Sequence, residues 1–299
     1  MFRYYTDSSA GSVLMGTVRH WGIVLGAVAF AMGCPLGAQT VCTYGDCHDN
    51  ARPTWRTDPV LFAANSGIGA IAVVAIRLIE GKTPTVPEIA VGFLGGATVF
   101  AGKRIAAEPF WGSGLLGRQL SSLGGSLVYG AGHGSAMFSH ANLNIGPLRL
   151  HLHSEESPTV RVDLTTVIAA LYFATADGGA TLDLDRTLSS GALVFVSKRE
   201  GLWASSAGAS IRLPSRMEIY DEDLLLSHET IHMIQLDQIG SHLTADGDRW
   251  LSKILLPDSW AEHVSLGLDA AFFEATGLLI HYSDRPWEVE AYRITGQWN

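Results

Sequence analysis

The chain predicts an α+β fold, on three observations. Residues 60–107 hold two long apolar stretches of helical length, laced with glycine. Residues 110–220 alternate apolar and polar side chains in period two between Gly- and Ser-rich turns. Residues 221–299 return to helical periodicity and collect the ionisable residues that point to chemistry. The chain therefore reads as an N-terminal apolar helical hairpin, an antiparallel β-rich middle segment and a set of C-terminal helices, the last two packed as one domain.

A chain of 299 residues can bury a large core. Its net charge of -9, with no basic run longer than two residues, excludes a nucleic-acid binder, because nothing could neutralise a row of phosphates. The N-terminus has the pattern of a secretory leader, residues 1–38. Arg19 and His20 precede the apolar run Trp21 to Met32, and small residues follow at Gly33, Gly37 and Ala38. Met15 as initiator would give that leader ordinary proportions. An uncleaved anchor, or lipidation at Cys34, is the competing expectation, but Ala31-Met32-Gly33-Cys34 is a poor lipid-attachment signal. Loss of Cys34 with the leader leaves Cys42 and Cys47, expected as a small-loop disulfide in an exported protein (periplasm, envelope or outside the cell); free thiols, or a metal site with His48, are the alternatives.

Residues 39–57 read as a polar, irregular arm. Asp58-Pro59 then supplies a cap and a first-turn proline for a helix to about Glu80, stopped by Gly81. Val60 to Ile76 carries no charge, and its 17 residues sit at the lower edge of a membrane span. A second helix is expected from Pro87-Glu88 to Ala107; its uncharged stretch, Ile89 to Gly102, is too short to cross. A buried hairpin is the preferred expectation, and membrane association through 60–107 is the alternative.

Leu148 to His153 and Val160 to Leu164 alternate strictly, as half-buried antiparallel strands do, and Ala180 to Leu184, Ala192 to Val196 and Ser210 to Leu213 continue the pattern, giving about six strands. His151 and His153 share one strand face, expected to be solvated. Ser259 to His281 reads as one long apolar helix covering the helix before it, and Asp284, as cap, with Pro286 opens a last one.

The chemistry centres on Ser227 to Gln235, which contains His228-Glu229-x-x-His232. In a helix, positions four apart stack on one face, so two imidazoles can point at one metal ion. Glu229, beside that face, is poorly placed as a ligand to the same ion but can reach a metal-bound water and take its proton. Gln235 extends the polar stripe, while Leu224, Leu225, Ile231, Ile234 and Ile239 can bury the helix. The cap signal at Tyr220 to Asp223 and the stop at Gly240 place the motif on a helix of four to five turns.

A catalytic zinc needs three protein ligands and one open position. No further histidine follows at the spacing of an extended HxxGxxH motif, so a carboxylate from a later helix is left, and Glu288 and Glu290 are the only glutamates after Glu274. Here the chain resembles the gluzincin type of zinc metallopeptidase, in which HExxH is followed by a helix carrying Glu. The matching residues are His228, Glu229, His232 and the run Glu288-x-Glu290-Ala291-Tyr292, under a tenth of the chain. The resemblance implies a zincin-like arrangement with Glu288 as third ligand and Glu290 pointing elsewhere, although Glu290 stays open as an alternative ligand. Position 292, often Asp or Asn in such families, is Tyr, which departs from their usual carboxylate support to a ligand.

The expectation is an exported zinc-dependent metallohydrolase, a peptidase acting on peptide or protein, with a zinc-bound water and Glu229 as general base. His281, Tyr282, Arg285 and Tyr292, which flank Glu288, are candidate transition-state stabilisers. The alternative is a non-catalytic envelope or membrane-associated accessory protein whose motif is structural or vestigial.

Overall fold

The structure, a computed structural model, describes residues 59–154, 157–176, 179–198, 204–215, 222–240, 245–280 and 285–296. The expected leader and arm at 1–57, with Cys42 and Cys47, lie outside the described residues, as do Asp58, His281, Tyr282 and Asp284.

Helix α1 (Pro59–Ile79) and helix α2 (Val86–Ala106) form the expected hairpin. Gly81, at φ +71°, ends the first, and a capping box opens the second, where the Thr85 backbone N–H donates to Glu88 Oε2 at 2.8 Å. The two axes come very close. A Cβ on Gly96 would lie 2.1 Å from the carbonyl oxygen of Asn65, so only glycine allows this approach. Both helices are long and apolar enough to cross a membrane, which corrects the expectation that the second is too short, because two charges near its end do not shorten the helix itself. Their inner faces are buried, whereas Phe62, Ile71, Leu78, Phe93 and Leu94 are exposed.

Residues 110–132 correct the expected β texture, because α3 (Ser113–Gly132) is a helix packed along α2. Its glycines and serines looked like turn punctuation, but Gly117, Ser121, Gly124 and Val128 recur at helical spacing and make the contact face. Ser121 Oγ donates to the Val99 carbonyl at 3.2 Å, and a Cβ on Gly117 would meet the Gly102 carbonyl at 2.4 Å. The 110–220 segment is thus mixed rather than purely β-rich, and it also holds α4 (Leu164–Thr175) and α5 (Leu184–Ser190).

Two four-stranded sheets follow. In the first, β1 (His140–Ile145), β2 (Leu148–His153) and β3 (Thr159–Asp163) run antiparallel in order, and β8 (Val264–Ser265) adds parallel to β3. The β1–β2 turn is two residues, Gly146-Pro147, with Gly146 at φ +53°. The second sheet has the order β4 (Ala180–Leu182), β5 (Leu193–Ser197), β7 (Ser210–Leu213), β6 (Ser205–Ala207); β5 and β7 are parallel, the other pairs antiparallel.

Helix α6 (Glu222–Ile239) carries the HExxH motif and is buried almost throughout from His228 to Ile239. One side packs on the second sheet, where Met233, Leu225 and Leu226 meet Val194, Ile211 and Leu213. The other packs on the hairpin and on α10 (Pro286–Thr295), where Ile231 joins Leu61, Phe100, Ala291 and Ile294, and Ile234 joins Val99 and Ala106. The hairpin therefore does much of the covering expected of 259–281. That expected single helix is broken into α8 (Asp258–Ala261), strand β8 and α9 (Leu268–Leu279), preceded by α7 (Ala245–Leu255). The break falls at Gly267, at φ +74°, where a Cβ would collide with Thr165 Oγ1 at 1.9 Å.

Candidate metal centre

The i, i+4 spacing on α6 stacks His228 and His232, their ring centroids 4.6 Å apart. The opposing donor comes from α10. Pro286 fixes its first turn, Arg285 rather than Asp284 holds the N-cap, and Gly296 at φ +73° ends it. This helix aims Glu288 at the two imidazoles. His228 Nε2 and His232 Nε2 lie 3.0 Å apart, and Glu288 Oε2 is 3.4 and 3.3 Å from them. A tetrahedral ion with bonds of about 2.0 to 2.1 Å would separate its donors by roughly 3.3 Å, so the three atoms form a triangle of the size such an ion requires. All three residues are buried. A buried His-His-Glu group that could hold a metal ion is what the described structure contains.

The electrostatics suit a cation. Burial raises the Glu288 carboxyl's affinity for a proton, but hydrogen bonds and charge from His228 and His232 outweigh it and hold the group well below the ordinary carboxylate range. Burial likewise lowers the His232 pKa, and the Glu288 hydrogen bond and charge more than reverse it, so the net direction is upward.

Behind His232 stands a chain of hydrogen bonds that leads out of the motif. His232 Nδ1 meets Gln235 Oε1 at 2.8 Å; an amide oxygen only accepts, so Nδ1 carries a proton and Nε2 is the nitrogen left to ligate an ion in place of its contact with Glu288. The amide orientation is itself fixed, because Gln235 Nε2 faces two acceptors, the Trp287 carbonyl at 3.0 Å and Glu290 Oε2 at 2.8 Å. Glu290 is held in turn by Asn65 Nδ2 on α1, which donates to Oε1 at 2.6 Å, and by Lys103 Nζ on α2, which donates to Oε2 at 2.8 Å. Lys103 Nζ also donates to Asn65 Oδ1 at 2.8 Å. Burial opposes ionisation of Glu290, but Lys103 and the donated hydrogen bonds lower its pKa overall.

The expected residues therefore separate. Glu290, the alternative ligand, is turned away to Lys103 and Asn65 and is not part of the converging group. Glu229 is buried, one position round the helix from His228. Tyr292 lies against His228, ring centroids 4.5 Å apart, and His228 Nδ1 is buried without a hydrogen-bond partner among the described residues. Arg285 Nε donates to the Ile280 carbonyl at 3.2 Å. Sequence reasoning missed Asn65 and Lys103. Asn65 is the only side-chain amide in the uncharged 60–76 run, and Lys103 sits in a last turn, where basic residues are ordinary.

A cleft of about 430 Å³, lined by Phe110, Trp111, Arg186, Leu226, Ser227 and Thr230, is not the metal site. At about 100° per residue, Thr230 lies roughly 160° to 200° round α6 from the two histidines. His151 and His153 differ from expectation too. His151 is half-buried, its Nδ1 2.8 Å from Asn142 Oδ1, and burial, with nearby Arg161 and Arg149, pushes its pKa down to about 4. His153 packs edge-on against His140, centroids 4.7 Å apart.

The chain matches no protein-family model, no curated protein and no solved structure.

Proposed function

We propose that the protein is an exported zinc metallohydrolase, with peptide or protein as substrate. The observation that supports this most is the convergence of His228 Nε2, His232 Nε2 and Glu288 Oε2 in one buried triangle with edges of 3.0 to 3.4 Å. Two imidazoles and one carboxylate are the donor set of hydrolytic zinc sites that keep a position open. When bound, zinc supplies a Lewis acid that polarises a carbonyl and acidifies water. Glu229, adjacent to the ligands but outside the triangle, accepts the proton of the attacking water and returns it to the leaving amine. Among the candidate stabilisers of the tetrahedral oxyanion, Tyr292 is the described residue packed against a ligand. The zincin-like arrangement proposed for α6 and α10 rests on the same three donors.

A second reading, a membrane-associated accessory protein, draws on the exposed apolar residues Phe62, Ile71, Phe93 and Leu94 of the hairpin. One experiment separates the two: a peptide library incubated with zinc-loaded wild type and with Glu229→Gln. Cleavage by the wild type alone, at equal zinc occupancy, is expected. No cleavage by either protein, together with solubility only in detergent, favours the accessory protein.

A further inference from the structure

We propose that Lys103, on the apolar hairpin, is a positioning residue for the metal ligand His232, acting through Glu290 and Gln235. The inference rests on the metal reading of the triad and names a role for one residue that lies 187 positions from Glu290 and 129 from His232 along the chain.

Lys103 is 1% exposed, on a helix apolar enough to cross a membrane, and a buried ammonium costs several kcal/mol unless its three protons find acceptors. Two acceptors are identified, Asn65 Oδ1 and Glu290 Oε2. A buried ion pair is weak evidence for stability, since well-packed apolar residues often do as well. What an apolar pair could not do is set direction. Glu290 as a carboxylate only accepts, as does the Trp287 carbonyl, so Gln235 turns its NH2 toward both and its oxygen toward His232, whose Nδ1 then carries a proton and whose Nε2 is left for the metal. Lys103 Nζ donates to Glu290 Oε2, and Asn65, bridging both, locks the arrangement. Each bond in the series has one permitted polarity, and the first charge in it belongs to the hairpin. Hydrogen-bonding partners behind a ligating histidine fix its tautomer and orientation, and their loss typically weakens metal binding about 10- to 100-fold.

The same geometry couples hairpin and metal. Whatever the seated hairpin adds to zinc affinity, bound zinc adds to the seating of the hairpin, because linkage is reciprocal. The apolar hairpin is then part of the metal site and not only its packing.

The test uses full-length protein, zinc and a competing chelator. In zinc-loaded wild type, 15N NMR of the His232 ring should place the proton on Nδ1 and the metal on Nε2. Lys103→Met should weaken zinc binding about ten-fold or more. The double variant Lys103→Met/Glu290→Gln leaves no unpaired buried charge, so its Tm should recover toward wild type. Its zinc affinity should stay about ten-fold low, since a glutamine at 290 can present either end of its amide and leaves the Trp287 carbonyl alone to orient Gln235. Recovery of affinity together with Tm would make Lys103 a stability residue and overturn the proposal, as would metal on His232 Nδ1 or undiminished affinity in Lys103→Met. Should Lys103→Met fail to fold, the double variant and the wild-type spectrum decide. Wild-type protein that takes up no zinc would instead defeat the metal reading itself, before any variant is compared.

Discussion

Two histidine pairs share a face of a regular element in this protein, and only one of them converges. On α6, His228 and His232 are four apart, and both Nε2 atoms come within 3.4 Å of one carboxylate oxygen from a different helix. On β2, His151 and His153 are two apart and share a face equally well, yet His151 turns to Asn142 and His153 to His140, each on the neighbouring strand. Periodicity puts two imidazoles side by side in both places. Both pairs have an amide oxygen at one Nδ1, so a third donor opposite is what distinguishes a group that could hold a metal ion from a pair of packed rings.

The strongest way to break this comparison is to remove a ligand. His232→Ala should lose both zinc and hydrolysis, because two remaining donors hold the ion poorly, whereas His153→Ala should leave zinc content unchanged; equal effects of the two would erase the distinction. Next in size is Glu229→Gln, which keeps shape and ligands and removes the proton acceptor. Its expected result is near-normal zinc with a rate about 10²- to 10⁴-fold lower. A rate within a factor of two of wild type at full zinc occupancy would remove Glu229 from the chemistry.

How much of this was legible depended on how local the signal is. The i, i+4 pair, the start of α2 near Pro87-Glu88 and the strict alternation of β2 and β3 are short-range patterns, and they read directly. Glu288 stands 56 residues beyond His232 and came only from the requirement for a third ligand together with a family resemblance. Asn65 and Lys103 could not be read at all, because their significance depends on close approach of α1 and α2 at Gly96 and on the side of α6 that this places against them. Helix α3 was misread because glycine and serine mark turns in one context and tight helix contacts in another, and only the neighbouring helix decides which.

The smallest expected effect concerns the strand pair. His151 has its pKa lowered from 6.5 to about 4 by burial and by Arg161 and Arg149, so between those values the unfolded state binds more protons at this position than the folded state. Its contribution is therefore present above about pH 6.5 and lost as pH falls toward 4. His151→Asn should flatten that part of the stability profile by an amount on the order of 2 kcal/mol or less, measured by urea unfolding at a series of pH values. An identical acid slope in variant and wild type would place the titration elsewhere.

The central claim is that α6 and α10 together hold one metal ion. Zinc per chain, counted by elemental analysis after chelation, reloading and removal of free metal, tests it most directly when wild type is set beside Glu288→Ala. One zinc in the wild type and a small fraction of one in Glu288→Ala is the expected result. Wild type without zinc, or full zinc retained in Glu288→Ala, would contradict it.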